Sequence, residues 1–210
     1  MKNNKTIFKM SILALFAAIG VVLMSYIQIP WFVPFSFLKI EISDFVIILT
    51  LLIFGFKEAV LVAIIKTLGD LLFRGPVGLY AIGQITAFIA SMSYCFGMLI
   101  FQKLTNNKKL PMKILGYAGI VLVVTLVMVI SNYLILTRVY LTTFGLTPND
   151  FIAMAGANNY LLAIIIAYVP FNLVKGTLVV GVAATIGDAI IGMFRNRFHL
   201  KKSDSLDSIT

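Results

Sequence analysis

Lys66 and Asp70 stand four residues apart inside one apolar stretch, and Asn172 and Lys175 stand three apart inside another. On a helix both spacings put the pair on one face. Lys66 and Asp70 either neutralise each other or present two charges to a ligand, and both readings stand. Asn172 and Lys175 set an amide beside an ammonium. Gln84, Thr86 and Asn132 add hydrogen-bonding groups from two further stretches, and Asp188 adds a carboxylate with no obvious partner in sequence. Polar groups in such surroundings are costly and mark function by default. The chemistry on offer is recognition rather than bond breaking. The chain has no Gly-x4-Gly-Lys-Ser/Thr phosphate loop, and Lys175-Gly176-Thr177 has the wrong order for one. It also lacks a His-Glu-x-x-His metal pair and a Gly-x-Ser-x-Gly elbow, and its single histidine, His199, sits in a basic tail. The single cysteine, Cys95, excludes an intrachain disulfide and reads as a small buried thiol.

The elements that must carry these groups are set by composition. Hydrophobic residues make up 60% of the 210, charged residues 12%, and the mean hydropathy is +1.03. Soluble domains carry roughly a quarter charged residues, so the bilayer is the natural solvent. A helix needs ~20 apolar residues to cross it. Six spans are predicted: Ile7 to Ile27, Phe45 to Phe56, Glu58 to Phe73, Ala81 to Leu104, Ile114 to about Ile135, and Phe171 to Phe194. The second and third are short and read as a tilted or partly re-entrant hairpin turning at Gly55-Phe56-Lys57-Glu58. The apolar stretch Tyr160 to Val169 is too short to cross alone. Pro170 fits the first turn of a new helix, so this stretch is either a separate surface extension or the start of a kinked sixth helix.

The formal charge of +9 is distributed as a membrane protein distributes it. Lys2, Lys5, Lys9, Lys57, Lys103, Lys108, Lys109, Lys113, Arg195, Arg197, Lys201 and Lys202 fall at alternate connections and both ends, against Lys39, Arg74 and Arg138 on the other side. The positive-inside rule puts both termini in the cytoplasm and requires an even number of spans. This pattern argues for a lipid partner and against nucleic acid. The first span runs into Tyr26-Ile27-Gln28-Ile29-Pro30 without a small-residue cleavage site and reads as an uncleaved helix. One domain is expected over residues 1–202, followed by a disordered polar tail over 203–210.

With that topology, Gln84, Thr86, Asn132, Asn172 and Lys175 gather toward the outer end of the bundle. A helix start at Pro170 would add backbone N–H groups there. The cluster reads as an outward-facing pocket or as glue between helices, and an unpaired Lys175 favours the pocket. The connection from Gln28 to Ser43 holds Trp31, Phe32, Phe35 and Phe37, with Pro30 and Pro34 as breakers. These aromatics serve as interface anchors or as a lid over a flat ligand. Ala14 and Ala18 form a small-xxx-small pair on which another helix can pack closely.

Several segments resemble one family. Phe37-Leu38-Lys39-Ile40-Glu41-Ile42-Ser43-Asp44 is similar to the F-L-K-I/V-D-F-S-D signature of riboflavin-type S components, the substrate-binding subunits of energy-coupling factor (ECF) transporters. Pro170-Phe171-Asn172-Leu173-Val174-Lys175-Gly176 resembles that family's P-F-N-L-I/V-K-G. Asn132-Tyr133 looks like its Asn-Tyr late in the fifth helix, and Ala14 and Ala18 match its A-x-x-x-A. The resemblance implies an all-α membrane bundle of six transmembrane helices in the bacterial cytoplasmic membrane, with no catalysis and no cofactor. It implies capture of a vitamin outside and docking on a membrane-coupling T subunit driven by two cytoplasmic ATPase subunits. By position, Asn132, Asn172 and Lys175 would contact the ligand, Leu38 and Lys39 would cover it, and Ala14 and Ala18 would face the T subunit. Glu41-Ile42 departs from the usual Asp-Phe, and Gln84 stands at or near a usual Glu within Ile82-Gly83-Gln84-Ile85-Thr86-Ala87-Phe88. Riboflavin is the expected ligand, with vitamin B6 or hydroxymethylpyrimidine as alternatives. A stand-alone secondary transporter using Asp70 or Asp188 as ion carrier, and an intramembrane enzyme using Lys66 and Asp70, are the rival classes.

Overall fold

Apolar residues run without a breaker from the N-terminal lysines to Tyr26, and they form one helix, α1 (Lys2–Tyr26). The structure is a computed structural model and describes residues 2–31, 34–35, 37–106 and 109–198. The tail expected over 203–210 lies outside the described residues, as do Phe32, Lys108 and His199. Along α1, Ile12, Leu13, Phe16, Ala17, Val21 and Met24 are buried at helical spacing, while Ile7, Met10, Leu15 and Val22 on other faces are exposed. A helix apolar all round belongs in lipid or in a core.

Beyond α1 the chain makes a small ribbon: β1 (Ile29–Pro30) pairs antiparallel with β2 (Lys39–Ile40). The Trp31 amide donates to the Leu38 carbonyl at 2.8 Å, extending the ribbon inward. The all-α expectation therefore holds except for this clip. The α2 helix (Asp44–Phe54) is buried along most of its length, and α3 (Phe56–Arg74) follows at once. The predicted four-residue turn shrinks to Gly55 alone. Its φ of 104° lies where a Cβ is disfavoured, so one residue reverses the chain.

After α3, Gly75 and Gly78 take positive φ and lead through a 3-10 turn (Leu79–Ala81) into α4 (Ile82–Thr105). The next helix is longer than expected. It runs as α5 (Leu110–Ser131), passes a π-helical turn (Asn132–Leu136), and continues as α6 (Thr137–Thr143). Asn132 is therefore inside a long helical run, not near its end. A short helix, α7 (Pro148–Met154), starts with a capping box between Thr147 and Asp150.

The last element decides between the two readings of the stretch before Pro170 in favour of the start of the sixth helix. Tyr160–Phe198 is one helix of 39 residues, α8, with Pro170 inside it rather than in a first turn. Proline removes one helical bond and crowds the preceding turn. In hydrocarbon, however, ending a helix would orphan several backbone groups at once, so continuing past one proline is the lesser cost. Asn172 and Lys175 consequently sit mid-helix and gain nothing from a helix start.

Among the described residues, four helical runs are long and apolar enough to cross a membrane: Thr6–Tyr26, Leu79–Thr105, Leu110–Thr143 and Tyr160–Gly187. The α2 helix is too short for this, and α3 carries charges along its length. The main core lies among α1 to α5 and α8, with Cys95 fully buried in it as expected. A second cluster around Phe35, Phe151 and Tyr168 packs the ribbon loop and α7 onto α8. Close approaches are built on glycine: a Cβ on Gly69 would lie 2.5 Å from Val21 of α1, and one on Gly116 would lie 2.8 Å from the Thr105 backbone nitrogen of α4.

Candidate functional site

The ribbon loop, the π turn and helices α1, α3, α4, α5, α6 and α8 meet around a cavity of about 130 Å³. The ribbon loop contributes Phe37, Leu38, Lys39 and Glu41. The end of α3 contributes Arg74, and the first turns of α4 contribute Thr86 and Ala87. The π turn and α6 supply Asn132 and Tyr140, and α8 supplies Tyr168, Phe171, Asn172 and Lys175. Of the residues singled out from sequence, Leu38, Lys39, Asn132, Asn172 and Lys175 line this one space. Gln84 does not. Its amide donates to Asp70 at 2.8 Å and to the Gly75 carbonyl at 3.1 Å, and it accepts from the Val77 amide at 3.1 Å. It fixes the α3–α4 connection beside the cavity.

The two asparagines are oriented by their own helices. Asn132 donates from Nδ2 to the Met128 carbonyl at 2.7 Å and accepts from the Thr137 hydroxyl at 3.2 Å. The Thr137 hydroxyl also pairs with Tyr168 at 2.8 Å. The π turn sets this arrangement, since it rotates the following residues relative to a regular helix. Asn172 donates from Nδ2 to the Tyr168 carbonyl at 2.7 Å. In each amide Nδ2 serves the carbonyl one turn back, and both residues line the cavity.

Lys175 is not unpaired, as the sequence suggested. Its ammonium donates to Glu41 Oε1 at 2.7 Å and stands 3.5 Å from Asp44 Oδ2. Glu41 Oε2 accepts the Ser43 amide at 2.8 Å. Lys66 and Asp70 do not pair with each other, which was one of the two readings of their spacing, and neither lines the cavity. Lys66, fully buried, donates to Asp44 Oδ1 at 2.6 Å, to Ser91 at 2.9 Å and to Ser43 at 3.1 Å. Asp70 accepts a bidentate contact from Arg74 at 2.6 and 2.7 Å and a hydrogen bond from Ser25 at 2.8 Å. Arg74 then donates to Gln28 at 3.0 Å. The i, i+4 spacing was real, but Lys66 turns to a carboxylate and hydroxyls of neighbouring elements, and Asp70 pairs with Arg74 one turn further along its own helix. Two ionic networks result, one under the cavity and one at its rim.

Phe37, Tyr140, Tyr168 and Phe171 wall the cavity, and further rings pack behind them. Trp31 meets Phe171 edge-on at 5.8 Å, Phe37 lies 6.3 Å from Tyr140, and Phe35 packs on Phe151 at 5.9 Å. Sequence reasoning missed Glu41, Asp44, Arg74, Tyr140 and Tyr168 as parts of the site. Glu41 had been visible only as a departure from a motif, and the two tyrosines carried no signal beyond being aromatic. Ala14 and Ala18 do not line the cavity and are exposed on the outer side of α1. The Asp188 side chain is outside the description. Among the described residues no cluster of three metal-binding side chains occurs.

The ribbon loop, the two asparagines and the α8 lysine line one cavity. Residues 8–187 match the family described as the substrate-specific component of ECF transporters. The chain belongs to this family of ECF substrate-specific components. Its relatives include the riboflavin transporter RibU of Streptococcus thermophilus, 30% identical over 172 residues, covering 81% of this chain and 76% of the relative. RibU of Staphylococcus aureus is 28% identical over 85% of this chain and 86% of its own length, and the riboflavin transporter FmnP of Bacillus subtilis is 28% identical over 85% and 89%. A solved S component of a bacterial ECF transporter superposes with a TM-score of 0.66 at 23% identity, covering 92% of this chain and 99% of the other. The ECF S-component fold is thus shared. The chain is an integral membrane transport component and not an enzyme.

Proposed function

We propose that this S component captures riboflavin at the outer face of the membrane and delivers it to an ECF T subunit coupled to two ATPases. The observation that carries the reading is the convergence of Leu38, Lys39, Asn132, Asn172 and Lys175 on one cavity walled by Phe37, Tyr140, Tyr168 and Phe171. A flat, carbonyl-bearing ring system with a hydroxylated chain needs this mixture: aromatic and apolar walls for the rings, and a few fixed donors for the oxygens. Lys175 is the donor for a ligand carbonyl or a bound anion. The relatives named as riboflavin transporters favour this vitamin over vitamin B6 or hydroxymethylpyrimidine.

Ligand pockets usually measure roughly 300–1,000 Å³, and the cavity here is about 130 Å³. On this reading the pocket widens to admit the vitamin. We further infer six crossings, with α2 and α3 as a short pair and both termini cytoplasmic, from the one-sided placement of lysine and arginine. The decisive experiment is a titration of riboflavin into the purified protein. Quenching of flavin fluorescence at stoichiometric ratio is expected. A preparation that ignores riboflavin but binds pyridoxine overturns the vitamin.

A further inference from the structure

The cavity has two charged ends, and Lys175 serves only one of them. At that end Lys175 and Glu41 line the cavity beside Asp44, which Lys66 of α3 and Ser91 of α4 hold. At the other end Arg74 and Gln28 line it. Arg74 stands eight positions beyond Lys66 on α3. Gln84, which holds Asp70 beside Arg74, stands seven positions before Ser91 on α4. At 1.5 Å per residue both helices put the two ends roughly 10–12 Å apart.

The Arg74 end is held from three helices. Asp70 is fully buried and accepts from Arg74 Nε and Nη2 at 2.6 and 2.7 Å, from the Ser25 hydroxyl at 2.8 Å and from the Gln84 amide at 2.8 Å. Arg74 Nη1 donates to Gln28 Oε1 at 3.0 Å, and Gln28 is itself tied to the Met24 carbonyl. A guanidinium carries five N–H donors in a rigid fork, and these bonds use three of them. A clamp joining α1, α3 and α4 accounts for Asp70, Ser25 and Gln84. It does not account for the placing of the cation. Lys66 is fully enclosed, whereas the Arg74 side chain is 22% exposed and lines the cavity. We propose that Arg74 is a ligand-binding residue, positioned by Asp70, that donates to the oxygens of the ligand's hydroxylated chain while Lys175 serves the ring carbonyls at the opposite end. The inference rests on the reading of this cavity as a riboflavin site. Asp70 offsets the guanidinium charge, so Arg74 offers directed N–H donors rather than net charge, which suits hydroxyl oxygens.

The test compares two flavins that differ only in the substituent on N10: riboflavin, with its hydroxylated chain, and lumiflavin, with a methyl group. Both are titrated into the purified full-length chain and followed by quenching of flavin fluorescence. The parent should prefer riboflavin. Arg74→Gln should weaken riboflavin by about tenfold, the lower end of what a hydrogen bond to a charged group is worth, and leave lumiflavin unchanged. Asp70→Asn frees the guanidinium from its fork and should lower the same preference, and an unchanged preference removes Asp70 from the role. Where Arg74→Gln fails to fold, Arg74→Lys keeps a cation beside Asp70 but loses the fork, so the preference for riboflavin should still fall. A merely structural Arg74 would weaken both flavins together or leave both alone, and either result overturns the proposal. A parent chain that binds lumiflavin as tightly as riboflavin overturns it too, while the flavin reading of the cavity stands. A parent chain that binds neither flavin overturns both.

Discussion

Lys66 and Lys175 are both ammonium groups buried in a membrane protein, yet their surroundings give them different work. Lys66 is enclosed by Asp44, Ser43 and Ser91 and touches no cavity, whereas Lys175 lines one and shares its carboxylates with a loop. Lys175→Met should therefore do two things. It removes the ligand contact that the proposed function assigns to Lys175, and it leaves Glu41 buried beside Asp44 without its ammonium partner, a loss of about 3–5 kcal/mol by the usual cost of breaking a buried pair. Thermal unfolding and riboflavin titration separate the effects: Lys175→Met/Glu41→Gln should recover stability and stay weak in binding. Recovery of affinity in the double variant would remove Lys175 from the site. Asn172→Ala, which leaves the ion network alone, should weaken riboflavin binding by about 1–3 kcal/mol, the scale of an unmet buried polar group. Unchanged affinity would count against it. At this scale, the asparagine and lysine on one face of α8 were legible because i, i+3 spacing is local. The partners of Lys66, Asp70 and Lys175 were not, because each lies on another element, 14 or more residues away in sequence apart from Arg74.

The elements were easier to read than their joints. Apolar runs marked the helices, and Gly55 marked a break that the structure keeps at its positive φ. Pro170 misled, because the rule that proline ends a helix weakens where water is absent. The π turn at Asn132 left no trace in composition. Helix spacing gives two further tests. On Gly116 a Cβ would meet backbone of α4, not a yielding side-chain tip. Gly116→Val should thus lower stability by about 1–3 kcal/mol, the range for overpacking a tight interior, seen as a lower thermal midpoint. At the start of α7, the Thr147 amide and hydroxyl hold the Asp150 carboxylate and lower its pKa below the ordinary aspartate range. A depressed folded value means the cap is in full force above the unfolded pKa and is lost as pH falls through the folded one. Amide exchange across 148–154 should therefore quicken only in acid, and Asp150→Asn should flatten that dependence.

For the molecule as a whole, the question is what drives uptake. A stand-alone transporter would need an intramembrane carboxylate free to load and release an ion. Asp70 is poorly suited, because Arg74, Ser25 and Gln84 already hold it. A subunit that borrows its energy needs a surface for its partner instead. On α1, Ala14 and Ala18 are exposed beside Ser11, leaving a shallow strip between the bulkier Met10 and Leu15. Small residues let a second helix approach closely without a pocket or charge. That strip lies on the outside of the bundle and lines no part of the cavity, so capture and docking are separable. Ala14→Trp/Ala18→Trp should leave riboflavin titration of the isolated chain unchanged. In liposomes containing the T subunit and both ATPases, the same variant should lose ATP-driven uptake. Loss of binding in the isolated chain would mean that α1 shapes the cavity after all. Full uptake with both tryptophans in place would move the docking surface elsewhere.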